Sequence, residues 1–288
     1  MQTRRIYNMT NHMKNNSNKV VWLTGSASGV GLHLTSLFQS MGYQVIATDI
    51  NEEAIHTAAK EGLWKTENMM IRKLNVCQKE SWQSVFAEAI ERFQKIDIVL
   101  NIAGYVKPGF LLETPIEELE KHIDVNLKGV IYGCHIIGLQ MLRQGYGHII
   151  NIASLAGIAP VPGMGYYSTS KLGIRGYSLI LAQELRDKGI SVSVVCPDLI
   201  KTPMYDLQLD FEKESALVFS GPKPLTVEDI SDAIFNKVIP KKPFECTIPR
   251  HRGLLSKFSN AFPELAYKIA GPFKRIGEAK IRKARKTT

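Results

Sequence analysis

The chain has 288 residues, of which 44% are hydrophobic and 22% charged, the composition of an ordinary globular protein. Its four cysteines are far apart and form no C-x-x-C pair, which argues against a disulfide framework or a metal site. No apolar run reaches the ~18 residues that span a bilayer, and the N-terminus lacks the apolar segment of a secretory signal. We therefore expect a cytoplasmic protein with reduced thiols.

The net charge of +9 is concentrated at the two ends of the chain. Residues 237–288 hold 14 Lys and Arg against 3 Asp and Glu, and residues 1–19 hold 4 basic residues and no acid. The part between them is acidic, so a nucleic-acid-binding core is disfavoured. We expect a mobile polar tail over 1–18, a globular domain over 19–250, and an amphipathic, basic C-terminal extension over 251–288.

A glycine-rich turn follows the first predicted strand. Val20–Thr24 is a short apolar run, residues 25–31 read GSASGVG, and Leu32–Met41 has helical spacing. Glycines let the backbone approach a pyrophosphate, and a helix N-terminus offers free N–H groups to it. The spacing is G-x-x-x-G-x-G rather than G-x-G-x-x-G, so the turn indicates a dinucleotide site only together with its flanking strand and helix.

Asp49 ends the second predicted strand, Gln44–Thr48. An acid about 20 residues beyond the glycines is placed to accept hydrogen bonds from the adenosine ribose and to repel a 2′-phosphate. Neither Ser28 nor Ile50 supplies a cation for that phosphate. The pattern favours NAD over NADP, although Asp49 could also cap the helix predicted to start near Asn51.

Strands and helices alternate along the rest of the chain. Apolar runs predict strands at 69–76, 96–101, 148–152, 191–196 and 245–248, and helical periodicity covers 79–94, 116–143, 164–188 and 227–238. Such alternation predicts one doubly wound parallel sheet of the Rossmann type with helices on both faces. A helical basic tail is expected to follow it.

Tyr167 and Lys171 lie four residues apart at the start of the predicted helix over 164–188, so their side chains share one face. The reference pKa of a phenol is about 10. One positive charge at ~5 Å and an effective dielectric near 20 is worth roughly 3 kcal/mol, or about two pKa units. The pair therefore suggests a tyrosine general acid/base, although Y-x-x-x-K also occurs on ordinary solvated helices.

Together these motifs resemble those of the short-chain dehydrogenase/reductase family from about Lys19 to Pro249. T-G-x-x-x-G-x-G at 24–31 matches the family's cofactor turn, N-I-A-G at 101–104 resembles its N-N-A-G, and V-N-L-x-G at 125–129 carries its helix asparagine. Ser154 matches its catalytic serine, and Tyr167 with Lys171 its Y-x-x-x-K. Besides Ile102, two further positions depart from the family pattern: Asp198 replaces the usual Gly after Pro, and Asn75 replaces an Asp.

The resemblance implies an NAD-dependent oxidoreductase that interconverts an alcohol and a ketone or aldehyde. Tyr167 would transfer the proton, and Ser154 would hydrogen-bond the substrate oxygen. Lys171 would lower the pKa of Tyr167 and hold the ribose, and Asn126 would anchor a water on the proton path. The implied cofactor contacts are Thr24, Gly25, Ser28, Gly29, Val30, Gly31, Asp49, Asn75, Val76, Asn101, Ala103, Gly104, Tyr167, Lys171, Pro197 and Thr202.

The segment from Leu199 to Gly221 should cover the substrate, and it is rich in apolar side chains. We therefore expect a hydrophobic alcohol or ketone, such as a lipid, retinoid or steroid. The alternative is that these side chains pack against the domain or a second subunit. The resemblance also implies a homodimer or homotetramer built on the helices over 116–143 and 164–188.

In the C-terminal extension, apolar residues from Leu254 to Ile276 recur at steps of three or four, with interruptions at Pro263 and at the Gly271-Pro272 pair. Seven Lys and Arg occupy residues 274–286. Short amphipathic helices before a polybasic end are typical of peripheral contact with an anionic membrane. Alternatively, a C-terminal helix docks on the body. No stacking aromatics alternate with the basic run, so nucleic acid is not an expected partner.

Two other functions are compatible with these motifs: an NADPH-dependent carbonyl reductase and a non-catalytic NAD-binding regulatory protein on the same fold. The complete set of Asn126, Ser154, Tyr167 and Lys171 favours an enzyme, because a non-catalytic relative is expected to lose one of them. An epimerase or dehydratase would usually have a larger substrate domain after the sixth strand.

Overall fold

The computed structural model describes residues 16–62, 64 and 66–286. Most of the predicted N-terminal tail, residues 1–15, lies outside the described residues. Asn16 is buried, and its carbonyl accepts a hydrogen bond from the Lys19 N–H at 2.8 Å. The ordered body therefore includes at least part of the segment that the sequence assigned to the tail.

Within the described residues, seven parallel strands form one sheet in the order β3-β2-β1-β4-β5-β6-β7. The strands are β1 Val20–Thr24, β2 Gln44–Asp49, β3 Met69–Lys73, β4 Ile98–Asn101, β5 Gly147–Ile152, β6 Ile190–Pro197 and β7 Glu245–Ile248. Central strands β1, β4 and β5 are buried along their whole length, as expected for a parallel sheet covered on both faces. The strand order reverses between β1 and β4, which opens a crevice at their carboxyl ends.

Helices cover both faces of the sheet, so the predicted doubly wound fold is confirmed. The helices are α1 Gly29–Ser40, α2 Glu52–Glu61, α3 Lys79–Phe93, α4 Glu117–His122 continued by Gly129–Gln144, α5 Gly165–Leu185, α6 Pro203–Leu209, α7 Val227–Ala233 continued by Ile234–Val238 and Ile239–Lys241, α8 Arg250–Ala261 and α9 Pro263–Arg285. Leu34 of α1 and Ile230 of α7 belong to the hydrophobic core on one face. Trp82 of α3, Ile137 of α4 and Ile174 of α5 belong to the core on the other face.

The C-terminal extension is helical, but it differs from the predicted series of short helices. The break before Pro263 is present, whereas α9 continues through Gly271 and Pro272. Pro272 removes one backbone hydrogen bond from the helix. The end of α9 is nevertheless held on the body, because Ile281 is fully buried and a Cβ on Gly277 would lie 1.7 Å from the Ala216 carbonyl oxygen. In the described part of the chain, no helix combines the length and apolarity needed to cross a bilayer.

Candidate active site

A cavity of about 470 Å³ lies at the carboxyl ends of the strands. The loops after β1 to β6 contribute to its wall, which is where a doubly wound sheet places its ligands. Most of the residues predicted from the sequence line this cavity: Gly25, Ser28, Gly29, Val30, Gly31, Asp49, Asn75, Val76, Ala103, Gly104, Ser154, Tyr167, Lys171, Pro197 and Thr202. The structure does not bring the side chains of Thr24, Asn101 and Asn126 to it.

The glycine-rich turn is shaped by two close backbone approaches. Gly25 has a φ of 72°, and a Cβ there would lie 3.0 Å from the backbone of Ala103. A Cβ on Gly31 would lie 1.9 Å from the Gly25 carbonyl oxygen. The Thr24 side chain binds the loop after β4: its Oγ1 accepts hydrogen bonds from the N–H groups of Ile102 and Ala103 at 2.9 and 3.0 Å. Thr24 therefore couples the turns after β1 and β4 without facing the cavity.

Asp49 at the end of β2 is held by the backbone of both neighbouring segments. Its Oδ2 accepts the Ala27 N–H at 3.1 Å, and its Oδ1 accepts the Asn51 N–H at 3.0 Å. The cap of α2 is Asn51, whose side chain accepts the Ala54 N–H at 3.0 Å. The alternative interpretation of Asp49 as that cap is therefore wrong, and its carboxylate lies on the cavity wall.

Ser154 and Tyr167 meet at the opposite end of the cavity. Ser154 follows β5, and its Oγ accepts the Ala156 N–H at 3.1 Å. Burial raises the pKa of Tyr167 to about 12, although the side-chain hydrogen bond with Ser154 lowers it in part. At neutral pH the Tyr167 phenol therefore holds its proton next to a hydroxyl that shares the same cavity.

Lys171 lies beneath Tyr167, one turn along α5. Its Nζ donates a hydrogen bond to the Ile152 carbonyl at 3.0 Å and lies 5.6 Å from the centroid of the Tyr167 ring. Burial lowers the pKa of Lys171 to about 8. The expected net lowering of the Tyr167 pKa by Lys171 is absent from this structure, because desolvation of the phenol outweighs the other influences on it.

Asn126 lies in a π-helical segment, Ile123–Lys128, in the middle of α4. Its Nδ2 donates to the Tyr105 carbonyl and to Ser170 Oγ, both at 2.9 Å, and its Oδ1 accepts the Tyr105 N–H at 2.7 Å. Both amide protons are thus used within the protein. A Cβ on Gly104 would lie 3.4 Å from Asn126 Oδ1 and 3.7 Å from Lys171 Nζ, so the two side chains converge beside Gly104.

Asn101, predicted as a cofactor contact, faces the core instead. Its Nδ2 donates to Asn151 Oδ1 at 2.8 Å, and Asn151 Nδ2 donates to Ser178 Oγ at 2.9 Å. Side chains alternate along a strand, so a residue at the end of β4 can face the helices while the following loop lines the cavity. This polar chain ties β4 to β5 and α5.

The apolar segment after β6 divides between the cavity and the body. Met204, Leu217 and Val218 line the cavity, whereas Leu209 and Phe219 pack with Ile281 of α9. The segment therefore contributes both to the cavity wall and to packing against the body.

Sequence reasoning missed the contribution of α8 to the cavity wall. Arg252 and Ser256 line the cavity, and Arg252 Nε donates to Asp198 Oδ2 at 2.8 Å. Asp198 Oδ1 also accepts the Leu199 N–H at 3.0 Å. The carboxylate that replaces the family's usual glycine thus has a partner 54 residues away, and no local pattern signals such a pair.

An ionic cluster around the buried Glu118, next to the site, also carries no sequence signal. Glu118 accepts hydrogen bonds from the Tyr105 hydroxyl at 2.7 Å, Lys107 at 3.2 Å and Lys121 at 3.0 Å. The hydrogen bond from Tyr105 is the main reason why the pKa of Glu118 is lowered to about 2. This cluster anchors the loop after β4 at the entrance to α4.

Comparison with known proteins agrees with this architecture. A family model described as short chain dehydrogenase matches residues 19–212. The chain is 34% identical over 199 residues to the 3-oxoacyl-(acyl-carrier-protein) reductase FabG of Thermotoga maritima, covering 69% of this chain and 81% of that protein. It is 33% identical over 196 residues to the 2-(R)-hydroxypropyl-CoM dehydrogenase of Xanthobacter autotrophicus, covering 67% and 78%.

Solved structures share the fold. A short-chain dehydrogenase/reductase from Burkholderia phymatum in complex with NAD superposes with a TM-score of 0.77 at 24% identity, covering 86% of this chain and 95% of that one. Levodione reductase gives a TM-score of 0.75 at 21% identity, covering 83% and 99%. The chain belongs to the short-chain dehydrogenase/reductase family and is an NAD(P)-dependent oxidoreductase acting on CH–OH groups.

Proposed function

We propose that this enzyme uses NAD to interconvert a hydrophobic secondary alcohol and its ketone, or a primary alcohol and its aldehyde, with Tyr167 as the general acid/base. The observation that carries the proposal is that Ser154, Tyr167 and the buried Lys171 line one cavity with the glycine-rich turn, with Lys171 Nζ 5.6 Å from the centroid of the Tyr167 ring.

The polar groups have complementary tasks during reduction. The Tyr167 phenol, with its pKa raised to about 12, is protonated at neutral pH and can donate its proton to the carbonyl oxygen. The Ser154 hydroxyl can donate a hydrogen bond to the same oxygen as negative charge develops there. A bound nicotinamide supplies the hydride. In oxidation Tyr167 accepts the proton, and the Lys171 ammonium favours the resulting phenolate.

The preference for NAD rests on charge. Asp49 on the cavity wall is placed to accept hydrogen bonds from the adenosine ribose hydroxyls. Among the described residues that line the cavity, the cations are Lys171 and Arg252. The first lies under Tyr167 and the second is paired with Asp198, so neither is available to hold a 2′-phosphate beside Asp49. NADP is thus disfavoured by one anion and helped by no nearby cation.

The remaining predicted residues have supporting tasks in this proposal. Gly25, Gly29 and Gly31 give the pyrophosphate access to the N-terminus of α1. Ser28, Val30, Asn75, Val76, Ala103, Gly104, Pro197 and Thr202 complete the cofactor wall. Asn126, Thr24 and Asn101 act as positioning residues, since their side chains bond the protein rather than face the cavity.

The substrate region favours an apolar molecule. Val106, Met164, Met204, Leu217 and Val218 share the cavity with Ser154 and Tyr167. Because the cations there are already engaged, an apolar alcohol or ketone fits better than a charged one. By their names, the relatives act on chemically different substrates. The substrate class is therefore proposed from the apolar residues of the cavity wall and not from the relatives.

We also propose a cytoplasmic homodimer or homotetramer with α4 and α5 at the subunit contact. These two helices expose large apolar side chains, with Leu139 45%, Leu172 39% and Ile180 58% accessible in the single chain. Burial of such side chains would drive subunit association. Peripheral contact of the C-terminal extension with a membrane suits an enzyme whose substrate partitions into lipid.

The proposal is tested by a panel of alcohols of increasing chain length, measured with NAD and NADP in parallel. We expect kcat/KM to rise with chain length and to be higher with NAD. Higher activity with NADP would contradict the cofactor assignment, and preference for short polar alcohols would contradict the substrate assignment. Tight NAD binding without turnover of any alcohol or ketone would favour a non-catalytic protein.

A further inference from the structure

Helices α8 and α9 carry a band of large apolar side chains that are at least 40% exposed. Their accessible fractions range from 40% at Phe273 to 61% at Leu254. The band, called here the hairpin face, consists of Leu254, Leu255, Phe258, Phe262, Leu265, Ile269, Phe273 and Ile276. The ring centroids of Phe258, in α8, and Phe262, at the junction with α9, are 4.9 Å apart, so the face is continuous from one helix to the other.

The arrangement on α9 is amphipathic rather than random. Leu265, Ile269, Phe273 and Ile276 recur at steps of four, four and three, which places them along one side of a helix. Lys268 and Arg275 are seven residues apart, so they form a second stripe two turns long beside the first. Neither cation forms an ion pair with another described residue. The apolar stripe is thus bordered by positive charge that is free to meet an external anion.

Three basic residues near the end of the extension have partners in the body. Arg285 Nε donates to the Leu209 carbonyl at 2.6 Å, and Lys280 donates to the Gly221 carbonyl. Arg282 and Arg285 each lie 3.5 Å from a carboxylate oxygen of Glu212. The end of α9 therefore contacts the segment after β6, part of which lines the cavity, while the hairpin face on α8 and the earlier part of α9 stays exposed.

We propose that the hairpin face is a docking surface for an anionic lipid bilayer. The positive charge of the extension favours an anionic bilayer over a second copy of this chain as the partner at this face. Residues 250–288 hold 11 Lys and Arg against 2 Asp and Glu, so two copies would bring like charge together at this face. An anionic surface would neutralise the same charge while the apolar side chains insert at the headgroup level.

Docking in this orientation brings the cavity to the lipid. Ser256 and Arg252 line the cavity from the same helix whose neighbouring residue Leu255 belongs to the hairpin face. A long apolar alcohol could therefore reach the site from the bilayer without crossing water. This consequence rests on the proposed function, whereas lipid binding itself does not.

The test is flotation of the full-length protein with phosphatidylcholine vesicles, with and without phosphatidylserine, at low and high salt. We expect binding to the anionic vesicles that weakens as salt rises. Lys268→Gln together with Arg275→Gln should weaken it about 25-fold, at about fivefold per cation. Phe258→Ser together with Ile269→Ser should weaken it by about tenfold or more.

Control variants change exposed residues away from the hairpin face. Lys60→Gln with Lys79→Gln removes the same charge, and Leu112→Ser removes a fully exposed apolar side chain; both should bind vesicles like the wild type. Circular dichroism establishes that each variant folds. Absence of binding to anionic vesicles at low salt would overturn the proposal. Dissociation of a wild-type oligomer by Phe258→Ser with Ile269→Ser would also overturn it, because a second copy would then be the occupant. Neither readout requires turnover, so failure here is distinct from failure of the catalytic proposal.

Discussion

The ion pair between Asp198 and Arg252 connects the loop after β6 to the C-terminal extension, and its contribution can be measured. The side chains are 12% and 18% exposed, with Nε and Oδ2 2.8 Å apart. Exposed pairs contribute about 0–1 kcal/mol, and removing one partner of a fully buried pair costs about 3–5 kcal/mol. With a single hydrogen bond in a mostly buried setting, we expect a coupling energy of about 1–2 kcal/mol.

A double-mutant cycle isolates this coupling. Asp198→Asn keeps an acceptor for the Leu199 N–H, and Arg252→Met keeps an aliphatic chain of similar length. Urea unfolding and NAD binding are measured for the wild type, both single variants and the double variant. Each single variant should lose about 2 kcal/mol of unfolding free energy, and the double variant should lose less than the sum. NAD binding should weaken in both single variants, because the same loop lines the cavity.

The exposed pair of Arg72 and Glu88 provides the matched control. Its atoms are 2.6 Å apart, but the side chains are 45% and 42% exposed. Arg72→Met with Glu88→Gln should show a coupling below about 1 kcal/mol and unchanged NAD binding. If the effects of Asp198→Asn and Arg252→Met simply add, to within about 0.3 kcal/mol, the loop and the extension are independent and the reasoning is refuted.

Three further predictions concern the glycine turn, the cofactor and acid stability. Gly31→Ala should abolish NAD binding in a fluorescence titration, because its Cβ would lie 1.9 Å from the Gly25 carbonyl oxygen; retained binding would contradict the close backbone approach at this turn. Asp49→Ala should shift the ratio of kcat/KM for NAD to that for NADP about tenfold toward NADP, since it removes one repelling charge; an unchanged ratio would contradict the role of Asp49. Burial lowers the pKa of His148 from 6.5 to about 3, so between these pH values the imidazole takes up a proton only in the unfolded state. The unfolding free energy is therefore unaffected by His148 above pH 6.5 and falls below it, by up to about 1.4 kcal/mol per pH unit. In urea unfolding of His148→Gln, the unfolding free energy should fall less steeply with decreasing pH over that range. An equally steep fall would show that His148 is not the source of the acid sensitivity.

Features that depend on neighbouring residues in the chain were accessible from sequence. The glycine turn, the acid at the end of β2 and the Tyr167–Lys171 spacing are local patterns, and the structure gathers them at one cavity. Strand alternation likewise predicted the sheet, because buried parallel strands carry continuous apolar runs. The precise strand ends were less accessible: the strand predicted over 69–76 ends at Lys73.

Features that depend on residues far apart in the chain were not accessible. The partner of Asp198 lies on α8, the π-helical segment turns Asn126 toward the Tyr105 backbone, and Asn101 faces Asn151 rather than the cavity. The charge on Lys171 was expected to govern the pKa of Tyr167, but the extent of burial was unknown without the fold. Motif matching thus located the site, whereas packing determined which motif residues face it.

The most direct test of the account compares Tyr167→Phe with Tyr166→Phe. Tyr166 is adjacent in sequence, but its hydroxyl donates to the Leu111 carbonyl at 3.2 Å instead of lining the cavity. NADH formation from the best alcohol of the panel is measured together with NAD binding by fluorescence. We predict that Tyr167→Phe lowers kcat by about 10²–10⁴-fold with NAD binding retained, and that Tyr166→Phe stays close to the wild type. Turnover by Tyr167→Phe within tenfold of the wild type would contradict the assignment of Tyr167 as the acid/base.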